Sequence, residues 1–246
     1  MSSSGAIRFG RYAFPPNSLG YCGPEDNLSL LEYVSSGSAD GGLIELGRQF
    51  SGAYPYLRLI ADANGIQDPF DDRVVEAYWV GNDLLDRVGP APFDESLRNR
   101  FGKRVMVADF RWLETKLEGG ARPHHNFHVF EIYPRAGLMN DAAAPVLLTT
   151  MDNCRISWAR VVHVGGATVE VDRQPLVLAD GKLTLGPVAR QHLVLQLDGR
   201  GLLPSVKPGD DVAVHWGWAC EVLEPPALAR LQAWTSRSLV LANQTM

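Results

Sequence analysis

The stretch Val206-Lys207-Pro208-Gly209-Asp210-Asp211-Val212-Ala213-Val214-His215-Trp216-Gly217-Trp218-Ala219-Cys220-Glu221-Val222-Leu223 decides how the chain is read. Pro208-Gly209-Asp210 is turn chemistry, since proline presets φ and glycine admits a positive φ. The residues after this turn alternate with period two. Val212, Val214, Trp216, Trp218 and Cys220 point one way, and Ala213, His215, Gly217 and Ala219 the other. Such a strand buries its bulky face and leaves His215 on a face cleared of bulk, where a backbone, a helix or a ligand can come close. The plainest reading is a histidine facing solvent from a barrel strand.

The residues upstream support a barrel. From 154 onward the pattern is β, with strands expected at about 155–164, 167–172, 175–178 and 190–197. Asp180-Gly181 between Leu178 and Leu183 is a hairpin signal, and Asp198-Gly199 ends the longer strand. Short strands at this spacing predict a small barrel, with the 206–223 stretch as its last strand. Pro225-Pro226 then opens a terminal helix whose Leu228, Leu231, Thr235, Leu239 and Ala242 can pack on it.

The first half reads as helical. Asp26 caps one helix (Leu28, Leu31, Val34) and Asp40 a second (Leu43, Ile44, Gly47, Phe50). A third runs from Tyr54 to a stop at Gly65, and a fourth from Asp71 through Val88 to Gly89-Pro90. Shorter pieces are expected at about 94–101 and 109–118. Residues 1–25, rich in Pro, Gly and Ser, read as irregular. They include a stiff aromatic loop in which Cys22 is a candidate ligand or nucleophile, against the commoner outcome of a packed, inert thiol.

Arg122-Pro123-His124-His125-Asn126-Phe127-His128 leads into an aromatic, β-branched run that predicts a strand from Phe127. His124 and His128 share a face whether the segment is strand or helix, and with Cys22 they have the ingredients of a metal site. No carboxylate stands at a recognisable ligand spacing, and a core role for the histidines is the competing reading. Pro134, Gly137, Asn140-Asp141 and Ala142-Ala143-Ala144-Pro145 then mark a linker. The expected organisation is an α+β chain: a helical domain over 1–135, a linker over 136–150 and a β-barrel domain over 151–246.

Composition narrows the class. Hydrophobic residues make up 46% of the 246 and charged ones 21%, ordinary for a globular protein. A net charge of −5 without a Lys/Arg cluster argues against nucleic-acid binding. Three scattered cysteines make no disulfide framework and suit a reducing cytoplasm. Neither a signal peptide nor a membrane span is expected.

The 206–223 stretch resembles the end of the small HypC/HupF chaperones of [NiFe]-hydrogenase maturation, whose pattern reads roughly V-K-P-G-D-[YW]-V-L-V-H-x-G-[FY]-A before a short helix. Cys154, with Arg160-Val161-Val162 after it, matches that family's cysteine and its basic-Val-Val triplet, 61 positions before His215. Trp158-Ala159 stands where the family has Pro-Gly, and Cys154 is internal where the family's cysteine comes directly after the initiator methionine. The resemblance covers about the last ninety residues; the whole chain also resembles an actinobacterial family associated with hydrogenase genes.

The resemblance implies a HypC-like, OB-like barrel that helps carry or insert an iron unit, Fe(CN)2CO, into the hydrogenase large subunit. Cys154 and His215 would be its metal-binding pair at the barrel mouth. The helical domain would dock that subunit or another maturation protein. Two alternatives stand beside it. One is a metal-dependent enzyme using His124, His128 and Cys22 to supply or process a diatomic ligand. The other is an interaction scaffold without metal.

Overall fold

A computed structural model describes residues 3–102, 107–134 and 144–245. It is a mixed α+β fold with the strands gathered in the C-terminal part. The amino-terminal segment, expected to be irregular, is the helix α1 (Ser3–Ser18). Its apolar positions, among them Ala6, Phe9, Ala13 and Phe14, are buried. Pro15 and Pro16 lie inside its last turn. There they do not end the helix, but they remove two of its N–H donors.

Helices α2 (Asn27–Ser36), α3 (Gly41–Arg48) and α4 (Tyr54–Ala63) come next, as expected. Asp26 and Asp40 are the caps, accepting from the N–H groups of Ser29 and Gly42 at 3.1 and 2.7 Å. The expected long helix from Asp71 is cut short: α5 (Asp72–Trp79) stops, and a 3-10 turn (Asp83–Arg87) resumes. The cause is Gly81, with φ +97°, where an added Cβ would fall 2.0 Å from the Trp234 ring. A close approach by the C-terminal helix therefore sets the break. Then come α6 (Pro90–Phe101) and α7 (Val107–Glu118).

The histidine segment is also corrected. In place of a strand it forms one helical turn, α8 (His125–Phe127), which widens into a π turn over His128–Ile132. His124 is its N-cap, accepting the Asn126 N–H on Nδ1 at 3.1 Å. Most of the expected linker's second half is ordered as well, as α9 (Ala144–Cys154), while 135–143 lie outside the described residues.

The strands β1 (Ser157–Gly165), β2 (Thr168–Arg173), β5 (Ala189–Val194), β8 (Asp211–His215) and β9 (Trp218–Val222) pair in the order β1-β2-β5-β9-β8. Because β8 pairs back onto β1, the sheet closes on itself. The last closure, β5 to β9, is a single parallel bridge. The hairpins β3 (Leu176–Ala179)–β4 (Lys182–Leu185) and β6 (Gln196–Leu197)–β7 (Arg200–Gly201) project from it. Their turns, Asp180-Gly181 and Asp198-Gly199, have positive φ at both residues, as the primed hairpin turns require.

The decisive stretch is two strands, where the alternation predicted one. Trp216 and Gly217, at φ 47° and 76°, form the two-residue turn between β8 and β9. A bulge near Cys220 shifts the register, so Val214 pairs with Ala219. The facing pattern consequently inverts across the turn: Val212, Val214 and Ala219 fill the barrel, while Trp218 and Cys220 face the helices. The terminal helix α10 (Pro225–Ala242) buries Leu231 and Thr235 as expected.

The apolar core runs without a break from the helices into the outer face of the barrel, taking in Ile156, Ala213, Trp218, Cys220 and Leu231. Polar anchors fix the same join. Arg8 of α1 reaches both carboxylate oxygens of Glu221 in β9, at 2.9 and 2.5 Å, and Tyr12 donates to the same carboxylate at 2.8 Å. Among the described residues no helix is long and apolar enough to cross a membrane.

The barrel end of α9 is held by Asp152. Its carboxylate accepts from Arg173 at 2.9 Å through each oxygen, from Arg155 at 3.0 Å and from the Leu176 N–H at 2.8 Å. Arg155 and Arg173 are themselves buried. Removing one partner of such a cluster strands buried charge, which costs about 3–5 kcal/mol. Asp152→Ala is therefore expected to lower unfolding free energy by about that amount, read from the urea midpoint. A loss below about 1 kcal/mol would mean that the cluster is solvated like a surface pair.

Candidate functional site

Three segments distant in sequence meet where the helices cover the barrel. Cys154 is the last residue of α9, His215 the last of β8, and His125 the first of α8. Ser157 of β1 pairs with Val214 of β8, and the Trp216 N–H donates to the Asn153 carbonyl at 2.9 Å. The thiol and the imidazole are thus brought together by neighbouring strands, as the sequence implied. His215 does not face solvent: it is 1% exposed, beneath α1.

Pro16 fixes the orientation of His215. In an unbroken helix the residue-16 N–H would satisfy the Tyr12 carbonyl, but proline has none. The ring of His215 takes its place, Nδ1–H donating to the Tyr12 oxygen at 2.7 Å. Nε2 is therefore the lone-pair nitrogen, and it is buried without a hydrogen-bond partner. A backbone acceptor on one nitrogen and a free lone pair on the other is the arrangement of a metal-ligating histidine.

His125 lies on the facing helix. Its Nδ1 is 3.0 Å from the Tyr78 hydroxyl, and its Nε2 is 2.9 Å from the Cys154 carbonyl and 3.8 Å from the Cys154 sulfur. Trp79 packs against both imidazoles, 4.6 Å from His125 and 5.6 Å from His215, centroid to centroid, and the two imidazoles meet edge to face at 5.3 Å. One ligand atom from each of His125, Cys154 and His215 falls within 4.8 Å of the others.

The five residues predicted for a metal site fare differently. Cys154 and His215 come together. His128 and Cys22 line the same cavity, of about 110 Å³, together with Tyr21 and Trp216. His128 is not in the cluster: its ring lies 6.4 Å from that of His125, and its Nδ1 is engaged by the Tyr56 hydroxyl at 3.3 Å. His124 points elsewhere, stacked on Trp234 of α10. The set His124–His128–Cys22 is therefore not assembled. His125 was missed because the four-apart pair His124 and His128, which shares a face in strand and helix alike, was preferred; His125 and His128, three apart, share a face only on the helix observed. The pair at that spacing was the available signal.

Electrostatics keep the site neutral when it holds no cation. Burial pushes His215 down to about 4, opposed by the backbone carbonyls of Tyr12 and Cys154. Burial and then the neighbouring His215 and His128 push His125 down well below its usual value. Burial pushes the Cys154 thiol up to about 12. At neutral pH the residues offer two uncharged imidazoles and a thiol. A thiol this reluctant to ionise is a poor nucleophile by itself, whereas a bound cation would deprotonate it.

The fold and site together define an α+β protein with a Cys/His cluster, its histidines buried and its cysteine half-buried, beneath a helical cover. Over residues 1–246 the chain belongs to DUF6390, a family of unknown function. No curated protein and no solved structure matches it.

The sign of the histidine shifts sets a pH dependence. Folded values below the unfolded value of about 6.5 mean that the unfolded chain binds the extra protons, so stability falls as pH falls from about 6.5. For His215 the loss continues to its folded value of about 4. By pH 5 it amounts to roughly 2 kcal/mol. The urea midpoint should drop between pH 7 and 5, and more shallowly in His215→Gln. Equal midpoints across that range would contradict the burial of neutral imidazole.

Proposed function

We propose that the protein is a [NiFe]-hydrogenase maturation factor, in which a HypC-like, OB-like barrel helps carry or insert the Fe(CN)2CO unit into the hydrogenase large subunit. The observation that supports this reading is the meeting of Cys154 and His215, the two positions the family resemblance singles out, in a buried pocket with a free imidazole nitrogen. A low-spin iron with strong-field diatomic ligands suits a soft thiolate, and an imidazole beside it can ligate the iron or accept a proton. A carrier must also release its cargo, which favours few protein ligands over a closed set of four.

The residues divide the work. Cys154 exchanges its proton for the iron. His215 presents Nε2 because Tyr12 holds its other nitrogen. Asp152 and its arginines fix the end of α9 and so the position of the thiol. The cytoplasm is the compartment that fits such a task. The enzyme reading, built on His124, His128 and Cys22, loses its geometric basis once His124 is stacked on Trp234.

Cys154→Ala is expected to abolish maturation of the hydrogenase in cells of the source organism while leaving fold and partner binding intact. Maturation is read as processing of the large subunit and hydrogen uptake. Normal maturation in that variant would sink the carrier reading and favour a scaffold.

A further inference from the structure

We propose that His125, supplied by the helical part of the chain, is a third ligand in a one-thiolate, two-imidazole site for a divalent first-row metal, and that the fourth position opens into the adjoining cavity and takes a small anion. The inference rests on the reading of the Cys154–His215 pair as a metal site, but not on any role in hydrogenase maturation.

Distances argue first. Around a tetrahedral ion with metal–nitrogen bonds of about 2.05 Å and a metal–sulfur bond of about 2.3 Å, ligand atoms lie roughly 3.3–3.6 Å apart. The sulfur of Cys154 and Nε2 of His125 are already 3.8 Å apart, and one ring nitrogen of each histidine lies with the sulfur inside a 4.8 Å group. Side-chain adjustment of about 1 Å closes the set. The second argument is the buried, unpartnered Nε2 of His215, which has a lone pair and no donor to meet it.

The partners of His125 permit the change that ligation needs. Without metal, Nε2–H donates to the Cys154 carbonyl and Nδ1 accepts from the Tyr78 hydroxyl. A hydroxyl both donates and accepts, so the tautomer with Nδ1–H donating to the Tyr78 oxygen is also satisfied and frees Nε2 for the metal. Tyr78 is a positioning residue here. In the binding step a divalent ion forms bonds to sulfur and two nitrogens, the Cys154 S–H bond breaks, its proton leaves to solvent, and the His125 proton changes nitrogen. One net positive charge remains on the site.

That charge sets the class of the fourth ligand. His125, Cys154 and His215 all stand on the wall of the cavity, whose other walls include Phe50, Trp79 and Trp216. The cavity, about 110 Å³, has room for a ligand of a few atoms. An uncompensated charge in such surroundings is costly, and a monoanion bound to the metal neutralises it. Of the other side chains on the cavity wall, His128 is engaged by Tyr56, and Cys22 is the competing thiol, which would show as a second sulfur in the scattering.

Cobalt(II) added anaerobically to the full chain tests this by absorption and X-ray absorption spectroscopy. The expected result is one ion per chain, a thiolate-to-cobalt charge-transfer band, and scattering from one sulfur and two imidazoles in the unaltered protein. Azide should then shift the d–d bands while the charge-transfer band persists. Cys154→Ala should remove that band, His125→Gln and His215→Gln should each weaken binding at least tenfold, and His192→Gln, at an exposed position of β5, should change nothing.

Failure to bind cobalt, scattering from a single imidazole, or a His125→Gln protein with unaltered affinity and spectrum would overturn the third ligand. Indifference to azide would overturn the open position. The X-ray measurement needs no variant, so a misfolded His125→Gln protein leaves the question decidable. A complete cobalt site alongside normal hydrogenase maturation in Cys154→Ala would leave this inference standing and remove the maturation reading. A cobalt site without His125, alongside maturation lost in Cys154→Ala, would do the reverse.

Discussion

The site depends on a missing hydrogen-bond donor. Pro16 has no N–H, so the carbonyl of Tyr12 has no partner within α1, and a buried carbonyl without a donor costs about 1–3 kcal/mol. His215, at the end of β8, supplies that donor at 2.7 Å. The one bond ties the first helix to the penultimate strand, across 203 positions of sequence. It also selects the tautomer that leaves Nε2 unprotonated. Stability and chemistry are coupled here: the interaction that satisfies the helix prepares the histidine.

The remaining contacts across the join keep that bond in register. Arg8 and Tyr12 of α1 both engage Glu221, so the helix is fixed to β9 as well as to β8. Trp79, stacked on Tyr12 at 5.3 Å, carries the packing from α1 to His125. Gly81 admits the Trp234 ring and lets α10 cover the α5 turn. A core shared in this way makes helices and barrel one mechanical body on the scale of the site.

The features legible in the sequence are those that obey local rules. Caps at Asp26 and Asp40, the Asp-Gly hairpins and the proline-led terminal helix are short-range signals of this kind. The proximity of Cys154 and His215 was legible too, through the family resemblance and the adjacency of strands. Other readings went astray where tertiary packing outweighed a local preference. The Pro, Gly and Ser content of residues 1–25 suggested an irregular segment, yet a buried apolar stripe carries α1 through Pro15 and Pro16. The aromatic run after Phe127 suggested a strand, but it packs as a π turn with Val129, Phe130 and Ile132 buried. The alternation through Trp216 concealed a turn, because tryptophan at φ 47° is a conformation that sequence statistics disfavour.

That strained tryptophan stands at the cavity. A bulky residue in the left-handed region costs of order 1 kcal/mol or more, and persists only when its surroundings compensate. Trp216 is held by its N–H to the Asn153 carbonyl and by stacking on Tyr21 at 4.1 Å. Tyr21 belongs to the loop between α1 and α2, where Gly20 and Gly23 have φ of +74° and +87° and Cys22 lies between them. The strained turn therefore ties the Trp216 backbone to the residue before Cys154, while its indole stack brings the Cys22 loop over the cavity. An asparagine or glycine would make the same hairpin turn at lower backbone cost, but neither could form this stack. The residue unfavourable for the turn is the one that lines and covers the cavity beside Cys154 and His215, which places the local conflict at the site and not in the scaffold.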